Sequence, residues 1–69
     1  MLKQEITNTE VPAAVANAIK QNYGSYDLDE AEKIEYNGQT YYEVELSRFY
    51  ILSKELIFTA DGKETTLPF

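Results

Sequence analysis

Residues 42–46, Tyr42-Glu43-Val44-Glu45-Leu46, alternate apolar and acidic side chains along the chain. In an extended strand, successive side chains point to opposite faces. Tyr42, Val44 and Leu46 therefore share one face, and Tyr41, Glu43 and Glu45 the other. That pattern belongs to a sheet with one buried and one wetted face. Upstream, Val11, Val15, Ala18 and Ile19 recur at three- and four-residue spacing, the apolar stripe of a helix. Alanines at 13, 14, 16 and 18 favour the helix and let it approach a sheet closely. No second amphipathic helix follows, so the pattern predicts one helix on one sheet face and an open face opposite.

The helix start carries two competing signals. Thr7-Asn8-Thr9-Glu10 reads as a capping box, with Ile6 and Val11 placed as a hydrophobic staple. Pro12 is tolerated only in a first turn and biases Val11 away from helical geometry. The steric cost decides: the continuous helix should begin near Pro12, after an isolated turn at residues 7–10. Gly24 stands where a left-handed cap would end it. The expected organisation is one domain over residues 1–69: an N-terminal arm at 1–9, a helical segment at 10–23, a loop at 25–29 and a sheet at 30–67.

Strands are predicted at 30–35, 39–47 and 52–59, with 63–67 as a short edge strand after an Asp61-Gly62 turn. Asn37-Gly38 marks a hairpin. A two-residue turn would oppose Ile34 to Tyr41, away from the face of Val44 and Leu46. A three-residue loop with a bulge at Gly38 pairs Ile34 with Thr40 and Glu32 with Tyr42, gathering the apolar residues on one face. That loop is the expected one. The expected core is Val15, Ile19, Ile34, Val44, Leu46, Leu56 and Phe58. Lys54 falls on the same face and fits only at its margin, with its stem laid along apolar surface. The fold class is α+β, one N-terminal helix packed on a three- or four-stranded antiparallel meander.

Composition sharpens the functional reading. A chain of 69 residues buries only about 60% of its unfolded surface and has neither cysteine nor histidine. No disulfide or zinc site can staple it, so stability must come from an apolar core or from association with another chain. The hydrophobic fraction of 43% is that of a globular domain rather than a disordered one. A formal charge of −6 argues against nucleic acid and anionic membrane as partners. No apolar run approaches the roughly 18 residues of a membrane span, and no signal-peptide pattern opens the sequence.

Candidate chemistry is sparse. Asp27, Asp29, Glu30 and Glu32 are acidic, but a calcium loop counted from Asp27 would need glycine where Glu32 stands and glutamate where Gly38 stands. Glu43 and Glu45 lie ~6.5–7 Å apart on one strand face, a spacing compatible with glycoside hydrolysis. An open face in so small a domain supplies neither a cleft nor a means of raising one carboxyl pKa selectively. Histidine-activated nucleophiles and phosphate-binding glycine loops are absent. No catalytic residue, metal or cofactor is therefore expected.

The order Glu10-Val11-Pro12-Ala13-Ala14-Val15, Ala18-Ile19, Tyr23, then Tyr42-Glu43-Val44-Glu45-Leu46 and Glu55-Leu56-Ile57-Phe58-Thr59-Ala60-Asp61-Gly62-Lys63, resembles PepSY-like domains. The match in kind runs from about Ile6 to Lys63: Val11-Pro12 stands at the family's Leu-Pro helix start, followed by its Tyr-Glu-Val-x-Leu strand and its strand leading into Asp-Gly. The resemblance implies one repeat of the beta-lactamase-inhibitor-protein-like fold, a periplasmic or secreted location, and a role in binding or inhibiting other proteins. The composition itself is equally compatible with the cytoplasm. Two departures stand out. One repeat is present where the family often has two, and Ser47-Arg48-Phe49-Tyr50-Ile51 lacks small turn residues.

Together these features lead to an expected protein- or peptide-binding module. Tyr41, Glu43, Glu45, Glu55 and Ile57 on the open face form the binding surface, with Glu35 adding to the charge. Phe49 and Tyr50 form a further aromatic pair, either exposed for contact or folded back on their own loop. The partner expected is a protein or peptide with a basic surface, with a homodimer as a second form of association. A structural spacer in a larger envelope assembly is the alternative reading.

Overall fold

The computed structural model describes residues 1–67. Five strands form one antiparallel sheet in sequence order: β1 (Leu2–Ile6), β2 (Asp27–Tyr36), β3 (Gln39–Arg48), β4 (Leu52–Thr59) and β5 (Glu64–Thr65). Between β1 and β2 the chain makes a 3-10 turn at Asn8–Glu10 and then helix α1 (Ala13–Asn22), which covers one face of the sheet. The α+β class holds; the strand count is five rather than three or four.

The helix start follows the steric argument. Pro12 caps α1 in an extended conformation and leaves the turn before it separate. That turn is closed by Glu10, whose carboxylate accepts the Thr7 backbone N–H at 2.9 Å and the Thr7 hydroxyl at 2.9 Å. The backbone N–H holds the Glu10 carboxyl below its ordinary range. The helical segment is thus 13–22 rather than 10–23. Its C-terminal glycine also works differently from the expected cap: Gly24 is not left-handed. A Cβ there would meet the Lys20 carbonyl oxygen at 2.6 Å, so lack of a side chain is what the position requires.

Val11, Val15 and Ile19 pack on Ala31, Tyr42, Val44, Leu46, Leu56 and Phe58, with Ile6, Ala18, Tyr23, Tyr26 and Leu28 closing the margins. No polar side chain is buried among the described residues. Lys54 opposes Leu46 at the edge of this face and sets its ammonium 5.8 Å from the centre of the Tyr23 ring. The expected edge strand at 63–67 is the short β5.

Three expectations about the sheet's first half are corrected. The 1–9 arm is largely a strand: β1 pairs along β2 from Leu2↔Glu35 to Ile6↔Ala31. The loop expected at 25–29 is mostly β2, which starts at Asp27 and absorbs Asp29 as an irregularity between Leu28 and Glu30. The hairpin has the two-residue turn, with Tyr36 opposite Gln39 and Ile34 opposite Tyr41. Asn37 (φ 51°) and Gly38 (φ 75°) are both left-handed, the conformation whose twist suits two antiparallel strands.

Ile34 is consequently not in the helix-facing core. It is 1% exposed yet lies outside the main cluster, on the opposite face. The physical reason is β1: Lys3 and Tyr41 flank Ile34 from the two neighbouring strands, so an apolar side chain there is sheltered without the helix. Small Ala31, opposite Val44, takes the helix-facing place instead.

Candidate protein-binding face

The face that α1 leaves bare is built by register. Across the sheet run three rows of side chains: Lys3–Ile34–Tyr41–Thr59, then Glu5–Glu32–Glu43–Ile57–Thr65, then Glu30–Glu45–Glu55. Directly opposed residues of antiparallel strands project to the same side, so each row is a line of neighbours. Tyr41, Glu43, Glu45, Glu55 and Ile57 are thereby brought together on one surface. Tyr41, Glu43, Glu45 and Ile57 are half-buried by their neighbours, while Glu55 is exposed.

Glu35 is a correction. The two-residue turn sets it opposite Thr40 and Leu2, on the other side of the sheet. Glu32, assigned by the longer loop to the helix side, replaces it opposite Glu43. The signal that would have found Glu32 is the Asn-Gly pair itself, whose preferred turn fixes the parity of β2.

Electrostatics centre on Lys3. Its ammonium lies 3.2 Å from a Glu43 carboxylate oxygen and 3.6 Å from one of Glu32. The hydrogen bond to Glu43, reinforced by the charges of Glu43 and Glu32, raises the Lys3 pKa. Glu32 is shifted upward too, first by burial and then by the adjacent Glu43, against the pull of Lys3. Lys3, Glu30, Glu32, Glu43, Glu45 and Glu55 line a shallow concavity of about 210 Å³. That is below the ~300 Å³ at which small-molecule sites usually begin. The carboxylates face water or a partner's surface rather than an enclosed ligand. Among the described residues no cluster of metal-ligating side chains occurs.

Phe49 and Tyr50 stand apart from this face, at the tip of the β3–β4 hairpin. They do not fold back over their loop: Phe49 is 70% exposed, Tyr50 entirely so, and Ile51 and Leu52 continue the exposed apolar run. Both aromatics have φ 59°, in a turn closed by the Ile51 N–H donating to the Arg48 carbonyl. The Arg48 guanidinium sits 4.8 Å from the Phe49 ring centre. On the helix side, the Tyr23 hydroxyl, at the C-terminal cap of α1, donates to Glu64 at 2.8 Å and ties that end of the helix to β5. A shallow apolar groove lined by Ile19, Tyr23, Tyr26 and Leu28 also went unread in the sequence.

Among the described residues no helix is long and apolar enough to cross a membrane. A family model described as beta-lactamase-inhibitor-like, PepSY-like matches residues 1–65, nearly the whole chain. No curated protein and no solved structure matches it.

Proposed function

This chain belongs to the PepSY-like, beta-lactamase-inhibitor-like family, and from that membership we propose a non-catalytic protein- or peptide-binding module that works through its open sheet face. The observation that carries the reading is the setting of Tyr41 and Ile57. Two apolar side chains stand half-buried among Glu32, Glu43, Glu45 and Glu55 on the surface no element of the described chain covers. Aromatic and aliphatic anchors supply contact area, while the surrounding carboxylates steer and select. A partner presenting lysines or arginines around an apolar spot fits that arrangement. The family's inhibitor-like character makes a partner enzyme one such target, and its usual setting points to the cell envelope or the extracellular space.

The alternative role, a structural spacer within a larger envelope assembly, predicts indifference to changes on this face. The test is affinity capture from native envelope extract with the wild-type chain and with the Tyr41→Ser/Ile57→Ser variant. Capture of a defined partner that drops at least tenfold in the variant, with the fold intact by circular dichroism, supports binding. Equal capture by both chains assigns the face to another role.

A further inference from the structure

Strand β1 ends the sheet, and its outer backbone edge pairs with no strand among the described residues. The hydrogen-bond phase of that edge follows from the β2–β3 turn. Tyr36 and Gln39 close a two-residue hairpin and so exchange both backbone bonds; bonded and non-bonded pairs then alternate. Tyr36, Ile34 and Glu32 therefore direct their backbone groups to β3, while Glu35, Lys33 and Ala31 direct theirs to β1. Leu2, Gln4 and Ile6, opposite those three, spend their backbone groups inward. Lys3 and Glu5 are left offering N–H and C=O outward.

The sequence Leu2-Lys3-Gln4-Glu5-Ile6 is self-complementary when turned against itself. In an antiparallel pairing centred on Gln4, Lys3 meets Glu5 of the second copy twice over, as hydrogen-bonded pairs. Leu2 then meets Ile6 on the helix side. The neighbouring registers that also align outward-facing backbone groups are worse. Centring on Lys3 opposes lysine to lysine, and centring on Glu5 opposes glutamate to glutamate, both unfavourable directly across strands. Glu5 gains most from the correct register. It stands opposite Glu32 in the acidic row and has no ion pair among the described residues. Leu2, 70% exposed, gains an apolar neighbour.

We propose that two copies of this chain associate through β1 in the Gln4-centred antiparallel register. The five strands of each copy join into one continuous sheet, with both helices on one side and both acidic faces on the other. The edge thus has a specific occupant rather than being an open template for aggregation.

The test is sedimentation of the full chain from low micromolar to millimolar concentration, alongside three variants. Lys3→Glu and Glu5→Lys each place like charges opposite each other in both pairs, and each should weaken self-association by about tenfold or more. Mixed together, the two singly changed chains restore both opposite-charge pairs and should form a heterodimer. Glu5→Pro removes an outward N–H while sparing the β1–β2 ladder, so it should stay folded and become monomeric. A wild-type chain monomeric throughout, a mixture that does not associate, or a folded Glu5→Pro chain that still dimerises would each overturn the assignment.

Discussion

The residue that best reports the balance on the acidic face is Glu32. Burial and Glu43 together outweigh the attraction of Lys3, so its carboxyl binds a proton more tightly in the folded chain than in the unfolded one. A raised carboxyl pKa gives stability that is fully present below the unfolded value and is lost as pH rises through the folded value. At neutral pH its charge is thus a net cost to the fold. Glu32→Gln should raise the melting temperature near neutrality, and the gain should vanish below the ordinary carboxylate range. Thermal melts across that pH span check the sign; a variant less stable at neutrality would mean that the Lys3 pair dominates. Glu10 and Asp61 behave oppositely. Hydrogen bonds from Thr7 and Thr59 lower their pKa values, so their contributions are present above the ordinary values and fade as pH falls through the folded ones. The Thr7–Glu10 cap was legible in the sequence; the meeting of Glu32 with Glu43 was not, because it depends on the two-residue turn at Asn37-Gly38 that sets the parity of β2.

Elements were legible where periodicity was strong and local. The stripe of Val11, Val15 and Ile19, the proline boundary and the alternation of β3 each state their own geometry, and β4 falls at 52–59 as its pattern predicts. β1 was missed because five residues with apolar side chains only at the two ends carry little burial signal; all but Ile6 are exposed. Missing it removed the shelter for Ile34, and that forced the wrong turn. The β3–β4 turn is an element whose sequence opposes its geometry: two aromatics hold left-handed backbone, where a Cβ crowds the carbonyl at roughly 1–2 kcal/mol per residue. Replacing the pair by Phe49→Asn with Tyr50→Gly should stabilise the chain by about 1–3 kcal/mol in chemical denaturation. Unchanged or lower stability would show that the aromatics are not held in that conformation. Their exposure at the tip of the hairpin makes the tip the alternative contact surface if the sheet face proves silent.

At the scale of the molecule, charge and shape are segregated. The helix side holds the apolar core, and the opposite side gathers Glu5, Glu30, Glu32, Glu43, Glu45 and Glu55 against one lysine, Lys3. Such crowding destabilises a sheet, since like charges on adjacent strands repel. Solubility alone would be served as well by mixed charge. Neutralising Glu43→Gln and Glu45→Gln together therefore separates two readings of the face. Under either one the fold should survive, with stability equal to wild type or slightly higher. Only a face that steers a basic partner should also lose association rate, by about tenfold at low salt, and show a flatter dependence of that rate on ionic strength. Stopped-flow association with the captured partner over a salt series measures both quantities. Rates unchanged at every salt concentration, in this variant and in Tyr41→Ser, would place the contact at the Arg48-Phe49-Tyr50 tip. There, exposed aromatic area rather than carboxylate charge would carry the binding, and Tyr50→Ser rather than Glu43→Gln would abolish it.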